Sequence, residues 1–171
     1  GDAFRSRQVV RTAKNAGAFV RLADGSMIEM APRSELWLRG SRRGTTINLA
    51  RGNVIVHAAE QRGGRLNVAT DACRVAVKGT IFAVNHGLKG SRVSVVEGEV
   101  EVRQAGDRTL LHPGDQITTD QRLRATSIED EIAWSRDADQ HMALLRELTE
   151  LQREVTKAVD VADNRTDTRL L

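Results

Sequence analysis

The chain has few aromatic residues, a single cysteine and no long hydrophobic run. Aromatic residues make up 3% of the 171 residues and tyrosine is absent, which disfavours surfaces that stack sugars or nucleic-acid bases. The single cysteine, Cys73, excludes an intrachain disulfide, and its apolar surroundings predict a small core residue. No apolar run approaches the roughly 18 residues of a membrane span. These absences predict a globular protein with an aliphatic core.

Charge is distributed unevenly along the chain. Residues 1–125 contain 20 Lys and Arg against 12 Asp and Glu, whereas residues 126–171 contain 6 against 11. This shift predicts an organisational boundary near residue 126. The basic part is compatible with a solvated Arg-rich surface or with an acidic protein face. Because aromatic stacking platforms are missing, we expect no nucleic-acid partner.

Alternating apolar residues flank a recurring glycine. For example, Ile47 and Leu49 precede Gly52, and Val54 and Val56 follow it. Period-2 alternation is typical of strands with one buried face, and glycine adopts the positive φ of tight turns at no steric cost. The pattern therefore predicts five strand–turn–strand units up to about residue 120, centred on Gly25, Gly52, Gly79, Gly98 and Gly114.

The predicted fold class is all-β, with stacked strand–turn–strand units followed by one long C-terminal helix. Two arrangements of the units satisfy the pattern, a β-solenoid-like roll and an antiparallel sandwich. The uneven spacing of the glycines argues against a regular solenoid. We expect the β domain to comprise residues 1–125.

Residues 126–162 are predicted to form the amphipathic C-terminal helix, and residues 163–171 a flexible tail. Ser127 is a candidate N-cap, and residues 128–162 contain no Pro or Gly. Trp134 and Ile128 are expected to anchor the first turns on the β domain. Two interpretations of the later apolar stripe remain open: docking on the same β domain, or pairing with another helix. The heptad seam contains Leu144, Leu148, Leu151, Val155, Ala158 and Ala162, of which Leu144, Leu148, Leu151 and Val155 are the predicted protein-interaction residues.

The sequence contains no recognisable catalytic or metal-binding motif. The four histidines, His57, His86, His112 and His141, do not stand at metal-ligand spacing from one another or from Cys, Asp or Glu. No Gly-x-Ser-x-Gly nucleophile motif is present. The sequence therefore predicts no catalytic residue, no metal, no cofactor and no small-molecule substrate, and we expect that the protein is not an enzyme.

Seven segments in the same order make residues 18–118 resemble the FecR domain. The most specific are Gly-Thr-Ile-Phe-Ala-Val at residues 79–84 and Val-Val-Glu-Gly-Glu-Val at residues 95–100. The resemblance implies a periplasmic or extracellular β domain of the bacterial cell envelope. In regulatory relatives such a domain receives a signal by contact with an outer-membrane transporter and connects through a membrane helix to an anti-sigma segment.

The resemblance leads to two functional hypotheses. In the first, the chain is a non-catalytic signalling or regulatory ectodomain that binds another envelope protein, with a membrane tether in a longer parent chain. In the second, it is a structural envelope protein that associates with itself through strand edges and the C-terminal helix, giving oligomers or filaments. Residues 1–171 depart from that layout, because they show no recognisable anti-sigma segment or membrane helix and a long helix is predicted after the FecR-like region.

Overall fold

The computed structural model describes residues 8–60, 65–77, 79–124 and 126–167, with side chains up to residue 159. The elements are β1 Val9–Arg11, β2 Ala18–Arg21, β3 Met27–Met30, β4 Glu35–Ser41, β5 Gly44–His57, β6 Arg65–Ala69, β7 Arg74–Val77, β8 Ile81–Gly87, β9 Gly90–Glu97, β10 Val100–Gln104, β11 Asp107–Leu111, β12 Gln116–Thr118, α1 Ile128–Ile132 and α2 Ala138–Asp167.

The long strand β5 connects the two halves of a single 12-stranded sheet. Its first half, up to Arg51, pairs with β4 and in parallel with β6, and its second half, from Gly52, pairs with β3 and β8. The first half-sheet contains β1, β4, β6, β7, β10 and β11, and the second contains β2, β3, β8, β9 and β12. The sheet closes around one core as a nearly complete barrel. The expected solenoid-like roll or sandwich of stacked units is therefore corrected to a barrel-like sheet.

The five predicted glycine positions all have positive φ, between +61° and +96°. Only Gly25 lies in a turn between paired neighbouring strands, β2 and β3. At Gly52, Gly79 and Gly98 the chain instead crosses from one half-sheet to the other. A Cβ atom on Gly98 would lie 2.7 Å from the carbonyl oxygen of Gly79. Glycine at these corners therefore permits both the backbone conformation and the close approach of two chain segments.

The predicted alternation places one face of each strand in the barrel core. Val54 and Val56 are fully buried in this core, together with Phe82 and Val84 from the neighbouring β8. Cys73 also lies there and is 6% exposed, as expected for a small apolar residue.

The predicted helical segment 126–162 contains two helices, α1 and α2, separated at residues 133–137. Ser127 caps α1, since its Oγ accepts a hydrogen bond from the Asp130 amide at 3.1 Å. The helix α2 continues to Asp167, into the predicted tail 163–171. Residues 168–171 of that tail lie outside the described residues.

Candidate protein-interaction surface

The helices α1 and α2 cover the outer face of the second half-sheet. Ile55 lies between two core valines and therefore points to the opposite face of β5. There it joins a second apolar cluster with Ile128, Ile132 and Leu145 from the helices. Burial of an aliphatic side chain of this size contributes roughly 1.5–3 kcal/mol. The first turns of the helical segment are consequently part of the folded core, and Trp134 packs against the same cluster.

A buried carboxylate fixes the connection between α1 and α2. Glu29 in β3 is 6% exposed. Its Oε2 accepts a hydrogen bond from Ser135 Oγ at 2.6 Å, and its Oε1 accepts one from the Arg136 amide at 2.7 Å. Hydrogen bonds to a charged acceptor are stronger than neutral ones. The carboxylate thereby determines where the chain leaves α1 and begins α2.

A buried ion pair makes a second polar connection to α1. Arg92 in β9 donates hydrogen bonds from its guanidinium to the Glu131 carboxylate and to the Arg124 carbonyl oxygen. Both charged side chains are only 9% exposed. Since a buried charge is costly without its partner, this pair favours one position of α1 on the sheet.

Two histidines meet where β5 contacts α2. The Nε2 atoms of His57 and His141 are 3.1 Å apart, and His141 is 2% exposed. Burial lowers the pKa of both imidazoles, and the neighbouring His57 lowers that of His141 further. The carboxylates of Asp137 and Glu29 act in the opposite direction on both. Desolvation has the larger effect, which favours neutral imidazole rings.

The four predicted interaction residues lie along α2 and become more exposed towards its C-terminal end. Leu144 packs against the second apolar cluster and Leu148 is half-buried, whereas Leu151 and Val155 are 50% and 63% exposed. Val159 is 54% exposed. We call Leu148, Leu151, Val155 and Val159 the apolar stripe of α2. Its first three residues form one wall of a shallow groove, and the β11–β12 corner at residues 112–115 forms the other.

The strand β11 is a second candidate contact. Among the described residues it pairs with β10 on one side only. Four of its five residues are exposed, including Leu110 at 53%. An exposed edge strand can accept an added strand from another chain.

His86 and Asp71 line a cleft beside the β8–β9 turn, and His86 also contacts the buried Ser91. His86 Nδ1 lies 2.9 Å from Ser91 Oγ, and His86 Nε2 lies 3.3 Å from Asp71 Oδ1. Acyl transfer by a Ser-His-Asp triad needs a serine that the substrate can reach and a buried aspartate that orients the histidine. Here Ser91 is 0% exposed and the Asp71 side chain is 82% exposed. The arrangement reverses the required exposure and does not suit nucleophilic catalysis.

The described residues show neither a metal-ligand cluster nor a membrane-spanning helix. No group of three or more His, Cys, Asp or Glu side chains among them has the arrangement of a metal site. Within the same part of the chain, none of the helices combines the length and apolar character that crossing a membrane requires. Burial raises the pKa of the Cys73 thiol, which keeps it in the unreactive neutral form.

The polar residues that hold the helices were not predicted from the sequence. Glu29 and Arg92 occupy strand positions that alternation assigns to solvent. A signal for a covered outer face was nevertheless present, because apolar residues occur in direct succession at Val54–Val56 and Val95–Val96. Such runs are typical of strands buried on both faces.

The protein family of the chain follows from a match that covers most of the β domain. The family model described as FecR protein matches residues 8–101, more than half of the chain. This chain belongs to the FecR family. The resemblance to the FecR domain is thus confirmed, with the match covering residues 8–101 of the chain. In this FecR chain, the match ends within β10, so β11, β12, α1 and α2 lie outside the matched region.

The fold is also similar to that of solved structures. Two crystal structures of a "putative anti-sigma factor" from Parabacteroides distasonis ATCC 8503 are similar to the FecR chain, each with a TM-score of 0.62. Each is 20% identical in sequence, and the similarity covers 69% of this chain but 57% of that one. At this identity the likeness establishes the fold alone. No curated protein matches the sequence.

Proposed function

We propose that this chain is a non-catalytic signalling or regulatory module outside the bacterial cytoplasm, which acts by binding another envelope protein. Its membership of the FecR family supports a regulatory role. A solved structure with the same fold is described as a putative anti-sigma factor, which also supports a regulatory role. The proposed arrangement of the chain is a β domain over residues 1–125 and a helical segment from residue 126.

The observation that carries the proposal is the division of α2 into a docked part and an exposed part. Leu145 is 4% exposed and fixed on the sheet, whereas Leu151 and Val155, two and three turns later, are largely exposed. An apolar stripe with spacings of three and four residues is the form in which one helix recognises another. We therefore expect the partner to present an amphipathic helix that packs along the apolar stripe of α2.

The regulatory role is tested by changing the stripe in the source bacterium. The variant Leu151→Asp with Val155→Asp adds two charges to exposed positions, so the β domain should remain folded. We expect altered levels of a limited set of transcripts. The matched control, Gln140→Asp with Ala143→Asp, adds the same charge at exposed positions nearer the start of α2. Identical transcript profiles for wild type, variant and control would contradict the proposal.

Self-association is the second candidate, and the same exposed stripe favours it. Two copies of α2 would bury Leu151, Val155 and Val159 against each other. Light scattering across protein concentration measures the mass of the assembly. A concentration-dependent assembly that dissociates in the Leu148→Asp, Leu151→Asp double variant would support self-association. A monomer at every concentration would exclude it and leave a different protein as the partner.

A further inference from the structure

Three arginines stand side by side on the outer face of the first half-sheet. Arg103 in β10 is the direct cross-strand neighbour of Arg74 in β7 on one side and of Arg108 in β11 on the other. All three are exposed. The adjacent Val75 and Val102 are buried in the barrel core, so the arginines point to the opposite face. We call Arg74, Arg103 and Arg108 the arginine row.

The charge of the arginine row is mostly uncompensated. Within the described part of the chain, Arg103 forms a salt bridge with Glu101, whereas Arg74 and Arg108 form none. The hydrogen bond from Arg103 lowers the pKa of Glu101, and the charges of Arg108 and Arg65 lower it further. Like charges directly opposite one another in a sheet are destabilising. An anionic partner would relieve this repulsion.

The arginine row ends at the free edge of β11. Ala105 and Gly106 have φ of +49° and +97°, as in the type I′ turn of a two-residue hairpin. The residues that flank such a turn form a hydrogen-bonded pair. Because bonded and non-bonded pairs alternate along an antiparallel ladder, the backbone N–H and C=O groups of Arg108 and Leu110 point away from β10. These groups can bind a further strand.

The free edge and the arginine row favour the same partner, an extended acidic segment of a protein. A lipid headgroup could neutralise the arginines, but it has no peptide backbone for the free edge. A second copy of β11 would bring another arginine row to the contact, so like charges disfavour it. On an added strand, the residue opposite Arg108 continues the row and should be Asp or Glu. The residue opposite Leu110, which is 53% exposed, should be aliphatic.

We propose that β11 binds an extended acidic segment of another protein, which adds to the sheet as a strand and places its carboxylates against the arginine row. The backbone of the segment supplies affinity, and the alternation of acidic and aliphatic side chains supplies specificity. This inference rests on the proposed function in requiring a protein partner, but it uses residues outside the apolar stripe of α2.

The test uses the purified full chain and short synthetic peptides, with binding followed by NMR titration. The acidic probe is acetyl-Thr-Val-Thr-Glu-Thr-Glu-Thr-amide. We expect saturable binding and slower hydrogen exchange of the Arg108 and Leu110 amides. A peptide with Lys in place of both Glu should not bind. A peptide N-methylated at Val and at both Glu keeps the charge but loses the N–H donors, and it should also fail to bind.

Two sets of variants test the two parts of the surface. Arg108→Glu should weaken binding of the acidic peptide about tenfold or more, because it reverses the charge beside the added strand. The matched control Arg21→Glu makes the same change at an exposed position of β2 and should leave binding unchanged. Leu110→Pro removes an outward N–H, which an edge strand tolerates, and should abolish binding, whereas Leu110→Ala should only weaken it. If Leu110→Pro fails to fold, the N-methylated peptide tests the same backbone contact from the partner's side.

Three results would overturn the inference. They are no saturable binding of the acidic peptide, equal binding of its N-methylated form, and equal losses in Arg108→Glu and Arg21→Glu. Phosphatidylglycerol vesicles provide the alternative anionic surface, and a chain that binds them but not the acidic peptide would have a membrane contact instead. Each of these results leaves the proposed regulatory function in place, because that function is tested separately at the apolar stripe of α2.

Discussion

Glu29 in β3 and Ser135 in the α1–α2 connection are joined by a 2.6 Å hydrogen bond between residues 106 positions apart in the sequence. Both residues are buried. The contact explains why the predicted single helix is interrupted, since the same carboxylate also binds the Arg136 amide. A continuous helix would use that amide within its own backbone ladder.

Removal of the Glu29 carboxylate should detach the helices from the sheet. Glu29→Ala leaves the Ser135 hydroxyl and the Arg136 amide without their acceptor, and unpaired buried groups cost roughly 1–3 kcal/mol each. We expect a loss of about 2–4 kcal/mol in the free energy of unfolding, measured by urea denaturation followed through tryptophan fluorescence. Glu99→Ala, at an exposed position, is the control and should change little. Equal stability of the two variants would contradict the role of Glu29.

Substitution of Gly98 should destabilise the barrel corner. Gly98 has φ +78°, and a Cβ would lie 2.7 Å from the Gly79 carbonyl oxygen. Gly98→Ala should therefore lower the free energy of unfolding by about 2 kcal/mol or more, through backbone strain and the steric clash. Gly40→Ala is the matched control, because nothing lies within 4 Å of its added Cβ. Chemical denaturation should show that Gly40→Ala leaves the free energy of unfolding unchanged or slightly raised. A larger loss of stability in Gly40→Ala than in Gly98→Ala would refute the proposed strain at Gly98.

The Arg92–Glu131 pair should show strong coupling. Arg92→Met alone leaves the Glu131 carboxylate buried without its cation and should cost about 3–5 kcal/mol. The double variant Arg92→Met, Glu131→Leu should recover much of that loss, because no uncompensated charge remains. A double-mutant cycle by urea denaturation measures the coupling energy. The control Arg51→Met removes an exposed arginine from its pair with Glu35, which keeps Arg11 as a partner, and should cost less than about 1 kcal/mol. If the stability losses of Arg92→Met and Glu131→Leu simply add up in the double variant, the prediction is contradicted.

Asp120 should titrate far below an ordinary aspartate. Hydrogen bonds from the Arg122 side chain and backbone lower the pKa of Asp120 to about 2. Because the pKa is depressed in the folded state, the interaction is present above about pH 4 and is lost as the pH falls through about 2. NMR titration of the Asp120 carboxyl carbon measures this directly. In Arg122→Gln the pKa should return towards about 3.9; a wild-type value already near that figure would refute the pairing.

Part of the fold could be predicted because it depends on local chemistry. The alternation around Gly52 predicted strands with one buried face, and the glycines predicted positive φ, which all five adopt. The same residues could not indicate that β5 bends at Gly52 and belongs to both half-sheets. A positive φ is compatible both with a turn between two paired strands and with a crossing from one half-sheet to the other. Which of the two forms depends on the distant strands that supply the hydrogen bonds.

The candidate interaction surface could also be predicted only in part. Heptad spacing identified Leu144, Leu148, Leu151 and Val155 as one face of a helix, but both docking and pairing remained open. The structure places Leu144 on the second apolar cluster and leaves Leu151 and Val155 exposed. Whether the exposed residues bind a partner stays a prediction.

The sequence by itself determined the aliphatic composition of the core, the strand periodicity, the corner glycines, the kinship with the FecR family and the helical character of the C-terminal segment. These follow from side-chain pattern and backbone preference within short stretches. Tertiary structure alone decided the barrel-like closure, the break between α1 and α2, and the meetings of Glu29 with Ser135, Arg92 with Glu131 and His57 with His141. These contacts join residues 39 to 106 positions apart, and no local preference specifies which distant polar group will satisfy a buried one.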